Sequence, residues 1–311
     1  LLNLSDLAHQ NEKGIMSKKP FDPSTEGAKT DFRTAMSYGD YLNIDTVLNQ
    51  QNCLTDAHDE MLFIIQHPTS ELWLKQILHE MLAARTALET GSMANMLKML
   101  SRVSRIFEQL NNQWDVLRTM TPADYTHFRD ALGPSSGFQS YQYRMVEFIL
   151  GNRNPAMIKP HAHVPEIQKM LQTELLRTSF YDEVVRFLFN TLDGTTKDMP
   201  SPQLNTPHEA RTAIQSRWKI VYQDVENNWS LYELAEKLMD LEDYFRRWRF
   251  NHVTTVERVI GFKRGTGGTS GVKYLRKMLD VELFPELWLS LIHISEPTRL
   301  LSISYAVFCL K

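Results

Sequence analysis

Residues 231–259, LYELAEKLMDLEDYFRRWRFNHVTTVERV, decide the fold class of this chain. Apolar side chains recur in this stretch at steps of three and four, and a histidine occupies one position of the same stripe. The stripe consists of Leu231, Leu234, Leu238, Leu241, Phe245, Trp248, His252, Val256 and Val259. This period is typical of an amphipathic helix that packs against a core. It places the imidazole of His252 on the buried face of a long helix.

The helical period extends over most of residues 40–260, and alternating runs of the β type are almost absent. We therefore predict an all-α fold. Thr121-Pro122 and Thr206-Pro207 each put a capping hydroxyl before a proline, so we expect a helix to begin at both places. Helix breaks are expected at the stretches rich in Gly, Pro and Asn, which are 133–137, 151–155 and 193–207.

A second histidine, His67, lies on the apolar face of another predicted helix, together with Phe63, Leu74 and Ile77. Neither His67 nor His252 belongs to a His-x-x-x-His or Cys-x-x-Cys pair, so the spacing predicts no conventional zinc site. Each is either a core histidine with satisfied ring nitrogens or a group that faces a cavity. Two lone imidazoles on apolar faces also fit a haem pocket, with one axial ligand and one distal group.

Pro68 interrupts the helical pattern directly after His67. A proline inside a helix removes one backbone hydrogen bond and should bend the helix there. A bend beside a histidine that faces a cavity is either functional or neutral, and the sequence leaves both possibilities open.

Composition argues against several kinds of partner. The chain has 34 Lys plus Arg against 37 Asp plus Glu, for a net charge of -3, so no global basic field attracts nucleic acid or anionic lipid. The basic run 246–249 is interpreted as the solvated face of a helix, or as a contact to an anionic cofactor. No apolar run approaches the length of a membrane span, and we expect a soluble, cytoplasmic protein. Cys53 and Cys309 are too few for a disulfide framework.

Both ends differ in character from the rest of the chain. Residues 1–15 have little periodicity, and we expect them to be upstream read-through, with translation beginning at Met16. Residues 16–37 are expected to be a flexible amino-terminal segment. Residues 289–311 resemble the translation of a sequencing adapter, and we expect them to be a foreign tail. A domain at 38–288 remains.

Four stretches carry a family resemblance: YGDYL at 38–42, HDEMLFIIQHPTSELW at 58–73, FRDALGPSSGFQS at 128–140 and VIGFKRGTGG at 259–268. Taken alone, the glycine-rich loop is only a weak phosphate-loop candidate, because it lacks the Gly-Lys-Ser/Thr ending. Taken together and in this order, the stretches resemble the bacterial members of the tryptophan 2,3-dioxygenase family, from about Tyr38 to Trp288.

The resemblance implies a helical domain, a homotetramer and one haem b per subunit, with ferrous iron in the active form. It also implies the conversion of L-tryptophan and dioxygen to N-formyl-L-kynurenine, the first step of tryptophan degradation by the kynurenine pathway. By position, His252 corresponds to the proximal iron ligand, and Trp114 to its neighbour on the proximal side. A ligating imidazole normally donates its other N–H, so we expect a partner for His252.

The remaining site residues are carried over in the same way. His67 corresponds to the distal histidine, whose catalytic part is to accept the indole N–H, and Phe63 to a wall of the indole pocket. Arg129 corresponds to the clamp of the substrate carboxylate, with Tyr125 one turn earlier on the same helix face. Thr266 corresponds to a contact of the amino-acid head group, on a loop that orders when substrate binds. Weaker correspondences are Leu132 and Ser136 in the pocket, and Tyr38 or Tyr41 reaching the pocket of a neighbouring subunit.

The chain departs from the family pattern at Pro68, where relatives often have glutamine, and in a slightly short spacer between Tyr41 and His58. Two other functions remain open. One is a haem enzyme of the same superfamily that oxidises a substituted indole or an indole amine, which Arg129 argues against because a carboxylate clamp favours an amino acid. The other is a haem-binding sensor or helical interaction protein without catalysis. Every pocket position that the resemblance identifies is occupied by a matching residue, which argues against a protein without catalysis.

Overall fold

The computed structural model describes residues 20–261 and 263–291. The described residues form α-helices, short 3-10 helices and loops, without a strand, so the prediction of an all-α fold is confirmed. The chain divides into two compact units, Leu1–Gln51 and Asn52–Lys311. The expected read-through at 1–15 lies outside the described residues.

The amino-terminal unit contains a 3-10 turn, Pro23–Glu26, and two short helices, α1 (Tyr38–Leu42) and α2 (Ile44–Leu48). A capping box between Ser37 and Asp40 begins α1. Asn43, with a φ of 50°, ends α1 in the left-handed conformation that asparagine tolerates, and α2 follows directly.

The second unit is built from ten helices within its described residues. They are α3 (His58–Glu89), α4 (Met93–Leu117), α5 (Pro122–Arg129), α6 (Tyr141–Ile149), α7 (Pro165–Leu176), α8 (Phe180–Asp193), α9 (Thr212–Gln223), α10 (Trp229–Ile260), α11 (Val272–Leu279) and α12 (Pro285–Leu291). Shorter 3-10 segments are Asp130–Leu132, Gly137–Gln139 and Pro155–His161. Helix α3 continues through Pro68 for a further five turns and more.

The long helix α4 packs along both α3 and α10, and all three contribute to the main core. The first five positions of the α10 stripe, from Leu231 to Phe245, are fully buried, as the period predicted. Trp248 and His252, further along, are only half-buried. The stripe is therefore less deeply buried from Trp248 to His252 than over its first five positions.

One of the two predicted helix starts is confirmed and the other is wrong. Helix α5 begins at Pro122, with Thr121 and Asp124 forming a capping box. At Thr206-Pro207 no helix begins, and α9 starts only at Thr212. The intervening backbone is held by distant partners instead. The amide of His208 donates to the carbonyl of Gly151 at 3.4 Å, and the His208 ring stacks on Tyr181 at 3.9 Å.

The interpretation of the basic run 246–249 as a solvated face is wrong for Arg249. Its side chain is 3% exposed and donates to Glu147 at 3.0 Å and to the carbonyl of Val281 at 2.9 Å. This buried ion pair joins α10 to α6 and to the segment before α12. Arg247 fits the interpretation, since it is exposed and pairs with Asp243 at the surface.

The expected boundary at residue 288 falls inside α12. The helix continues to Leu291, and the hydroxyl of fully buried Ser290 lies 3.2 Å from the carbonyl of Gln215 on α9. The rest of the expected foreign tail, 292–311, lies outside the described residues. No helix in the described ranges is both long and apolar enough to cross a membrane.

Candidate active site

A small apolar cluster, separate from the main core, brings four helices together beside His252. Its buried members are Leu117, Met120, Tyr125, Phe128 and Val259. Partly buried side chains that pack on it include Phe63, Trp114 and Leu132. The cluster therefore collects residues of α3, α4, α5 and α10, and four of the predicted site residues lie in it.

Two indole rings, whose own centroids are 5.7 Å apart, lie against the imidazole of His252. The ring of Trp114 stacks on it at 5.0 Å with an interplanar angle of 16°, and the ring of Trp248 lies at 5.6 Å with an angle of 50°. Burial, and to a lesser extent the charge of His67, lower the pKa of His252 to about 4. The two histidines are thus within electrostatic reach of each other. His252 is neutral at pH 7, which is the form that binds a metal.

The partner expected for the second nitrogen of His252 is not found. Among the hydrogen bonds of residues 20–261 and 263–291, none involves the His252 ring. Ring contacts orient the imidazole instead, by stacking on Trp114 and by a tilted contact with Trp248, which the sequence placed only in the apolar stripe. The sequence could not reveal the contact of Trp248 with His252, because a tryptophan at a core position of a helix fits the same spacing whichever ring it touches.

Two buried donors at the site have no hydrogen-bond partner in the described structure, Nε1 of Trp114 and Nε of Arg129. An unpaired buried donor is costly, on the order of 1–3 kcal/mol, and most buried polar groups are therefore paired.

The orientation of His67 is set by its own helix. Its Nδ1 lies 2.7 Å from the carbonyl oxygen of Phe63, one turn earlier on α3. Because a carbonyl oxygen only accepts, Nδ1 must carry the proton, and Nε2 of the neutral ring is left as an acceptor. Burial lowers the pKa of His67, opposed by this bond and by the charge of Glu71. The Phe63 and His67 rings are 4.2 Å apart.

Helix α5 presents Tyr125 and Arg129 one turn apart. Tyr125 is buried and its ring lies 5.9 Å from that of Phe63. Burial raises the pKa of Tyr125, and the positive charge of Arg129 opposes that shift. Nη2 of Arg129 donates to the carbonyl of Arg264 at 2.9 Å, which attaches α5 to the glycine-rich loop.

The glycine-rich loop also lies against the loop at 133–137. The hydroxyl of Thr266 donates to the carbonyl of Ser135 at 2.5 Å. A Cβ on Gly267 would lie 2.8 Å from the Cβ of Ser136, closer than two such atoms can approach, so only glycine fits here. The structure therefore brings Arg129, Ser136 and Thr266 together at one end of the apolar cluster.

Tyr38 and Tyr41 are the predicted site residues that stand apart. Both belong to the amino-terminal unit, and both are 76% exposed. Their predicted reach into the pocket of a neighbouring subunit stays a prediction.

The amino-acid sequence matches a family model described as tryptophan 2,3-dioxygenase, at residues 23–186 and 206–292. A tryptophan 2,3-dioxygenase of Ruegeria sp. (strain TM1040) is 70% identical over 273 residues, which cover 88% of this chain and 98% of the relative. The tryptophan 2,3-dioxygenase of Bradyrhizobium diazoefficiens is 59% identical, with the same two coverages. That of Cupriavidus necator is 55% identical over 84% of this chain and 89% of its own length. On these matches the chain belongs to the tryptophan 2,3-dioxygenase family.

Proposed function

We propose that this chain binds one haem b per subunit and converts L-tryptophan and dioxygen to N-formyl-L-kynurenine, the first step of tryptophan degradation. The observation that carries the proposal is the placement of His252. The neutral imidazole of His252 stacks on Trp114, contacts Trp248 and lies within electrostatic reach of His67. The family membership of the chain supports the same reaction.

The residues at His252 fit a haem. A single imidazole with a low pKa would ligate the haem iron without competition from protons at neutral pH. The apolar cluster offers the surroundings that a porphyrin requires, and the two neighbouring indole rings restrict rotation of the imidazole. When bound as ferrous haem, the group supplies dioxygen activation, and both oxygen atoms enter the product.

His67 and Phe63 hold the indole ring. The bond from Nδ1 of His67 to the Phe63 carbonyl leaves Nε2 free to accept the indole N–H. A neighbouring aromatic face at 4.2 Å provides an apolar wall. We assign His67 an orienting role, because the π-system of the indole reacts without prior removal of a proton. A ring that lacks the N–H leaves Nε2 unpaired and is bound less tightly.

Arg129, Tyr125 and Thr266 hold the amino-acid head group. The unpaired buried Nε of Arg129 is a donor that a substrate carboxylate satisfies, and a guanidinium binds a carboxylate with two parallel bonds. Tyr125 is a neutral phenol at this end of the pocket, since burial raises its pKa. Thr266 and the loop that carries it cover this end and limit the access of water.

We further propose a homotetramer in which Tyr38 or Tyr41 of one subunit contributes to the pocket of the next. The exposure of both rings supports this proposal, because large aromatic side chains on short helices gain from burial against a second surface. We propose a cytoplasmic location, without nucleic acid or membrane as a partner.

The proposal is tested by anaerobic reduction of haem-loaded protein, followed by L-tryptophan and then oxygen, with spectra recorded for haem and product. We expect N-formylkynurenine from the wild-type chain, and loss of both the haem signal and the product in His252→Ala. A spectrum that responds to oxygen without product would favour the haem sensor. If the chain takes up no haem, His252 is a core histidine and not an iron ligand.

A further inference from the structure

One exposed face of helix α3 is apolar, whereas the face that a helix turns to water is normally polar. Between residues 58 and 75, all of which the structure describes, six positions are exposed, and they follow one another at steps of 3, 4, 3, 4 and 3 residues. We call these positions the outer stripe of α3. They are His58, Met61, Ile65, Pro68, Leu72 and Lys75. The exposed fractions of Met61, Ile65 and Leu72 are 42%, 45% and 55%.

The outer stripe takes no part in the cores of the described structure. None of its members belongs to the main core or to the apolar cluster beside His252. Contiguous apolar side chains on a surface mark a place where another molecule packs. Alternating steps of three and four residues are the spacing by which two helices pack along each other. The outer stripe therefore fits a second helix that lies along α3 for about 25 Å.

The order of the steps identifies the second helix. The series reads the same in both directions, so the outer stripe matches a copy of itself that runs the opposite way. In such a pair Met61 of one copy would meet Leu72 of the second copy, and Ile65 would meet Pro68. The apolar residues then fill the middle layers, and the polar residues at the two ends lie outside them. A contact of this kind, in which both copies use the same surface, is what a twofold axis requires.

The charges at the ends of the outer stripe favour the antiparallel direction. Asp59 is half-buried beside His58 at one end, and Lys75 stands at the other. In the antiparallel pair Lys75 of each copy would lie beside Asp59 of the other, whereas a parallel pair would place Lys75 against Lys75. Neither Lys75 nor Asp59 makes an ion pair with another residue of 20–261 or 263–291. Both charges are therefore available to a second copy.

We propose that the outer stripe of α3 is a contact between two copies of this chain, in which the two α3 helices are antiparallel. The inference names one interface of the proposed homotetramer, so it rests on that assembly and not on the proposed reaction. Phe63 and His67 belong to the same stretch of α3. The contact therefore joins the candidate sites of two subunits through one pair of helices.

The first experiment is disulfide formation in the full, haem-loaded chain, in a background of Cys53→Ser and Cys309→Ser. We expect mild oxidation of the double variant Met61→Cys/Leu72→Cys to give a covalent dimer, with the link from 61 to 72 identified by peptide mapping. Within one chain these positions are about 16 Å apart along the helix, too far for a disulfide. The single variants Met61→Cys and Leu72→Cys are the matched controls, and neither should form a dimer.

Two outcomes of this experiment would overturn the proposal. A covalent dimer of either single variant would mean that the helices are parallel or meet in another register. No covalent dimer of the double variant, even from a tetrameric chain, would mean that another surface covers the outer stripe. Product formation is measured on the same samples. A chain that forms the expected disulfide without making N-formylkynurenine would contradict the proposed reaction and leave the interface standing.

The second experiment reverses the charges and measures association by sedimentation equilibrium. We expect Lys75→Glu and Asp59→Lys each to raise the dissociation constant about two- to tenfold, the range of exposed ion pairs. The double variant Lys75→Glu/Asp59→Lys restores opposite charges, so its dissociation constant should return towards that of the wild-type chain. Lys169→Glu, at an exposed position of α7, is the control. A double variant that associates no better than the single variants would overturn the antiparallel arrangement.

Discussion

Trp114 carries a buried indole N–H without a partner in the described structure, and its ring lies nearly parallel to that of His252. The Trp114 ring packs on the smaller cluster and on Trp248. We therefore expect the ring face, and not the N–H, to be the part of Trp114 that orients His252, the proposed iron ligand.

This assignment predicts different effects for two substitutions of Trp114. Trp114→Phe keeps an aromatic face on His252 and should retain haem affinity. Trp114→Leu removes the face, and we expect haem affinity to fall about two- to tenfold, the usual contribution of an aromatic pair. Haem titration followed by absorbance measures both. Trp229→Leu, at a tryptophan exposed at the start of α10, is the control, and equal losses in the Phe and Leu variants would contradict the assignment.

Nε of Arg129 is a buried donor without a hydrogen-bond partner in the described structure, and Nη2 of the same side chain donates to the backbone carbonyl of Arg264. Arg129→Lys keeps the charge but loses the fork that binds a carboxylate. We expect kcat/KM for L-tryptophan to fall about 10- to 100-fold, whereas the affinity for tryptamine, which has no carboxylate, should stay within about twofold.

Arg264→Lys is the matched control for Arg129→Lys, because Arg264 contributes its backbone carbonyl and not its side chain to the contact. Steady-state kinetics with L-tryptophan and binding measurements with tryptamine compare the two variants. Equal losses for both ligands in Arg129→Lys would show that the residue supports the loop and does not bind the carboxylate.

At the scale of the elements, the glycine-rich loop approaches the loop at 133–137 closely at Gly267. Gly267→Ala places a methyl group 2.8 Å from the Cβ of Ser136 and should push the loop away from its contact at Ser135. We expect the KM for L-tryptophan to rise several-fold, with a change in unfolding free energy below about 1 kcal/mol, because the loop is not part of the core. Gly137→Ala is the control, since a Cβ there meets no atom within 4 Å. An unchanged KM in Gly267→Ala would show that the contact has no part in binding.

Elements with a strong local signal could be predicted from the sequence. The stripe of α10 and the capping box of α5 each follow from neighbouring residues, and both are observed. Thr206-Pro207 has an equally good local signal, yet no helix begins there, because the contacts of His208 with Gly151 and Tyr181 come from distant parts of the chain. Arg249 shows the same limit, since its partner Glu147 lies on another helix.

The candidate site could likewise be predicted only in part from the sequence. Family motifs located the residues of α3, α5 and the glycine-rich loop, which the structure places around one apolar cluster. The tilted ring contact of Trp248 with His252 and the carbonyl of Arg264 had no signal in the sequence. Each acts through the position of a ring or a backbone group relative to another helix, and residue type and spacing do not encode that position.

At the scale of the whole molecule, the change in unfolding free energy at acid pH tests the packing between α8 and the segment before α9. His208 is buried against Tyr181, and burial lowers its pKa to about 4, against an ordinary value near 6.5. Between pH 4 and 6.5 the unfolded chain therefore binds more protons at this histidine than the folded chain. Folding stability rises with pH across that window, and His208 accounts for a change of roughly 3 kcal/mol.

His208→Gln removes the titrating group, so we expect its unfolding free energy to fall less steeply than that of the wild-type chain between pH 7 and 4.5. Urea unfolding at several pH values gives the two curves, and their difference isolates His208 from other titrating groups. The absolute stability of the variant is lower at pH 7, because the stacked ring is lost, but the slope is the test. His127→Gln, at an exposed position of α5, should run parallel to wild type. Parallel curves for His208→Gln would mean that His208 is reached by water in the folded chain, and that the loop before α9 opens at acid pH without unfolding of the rest.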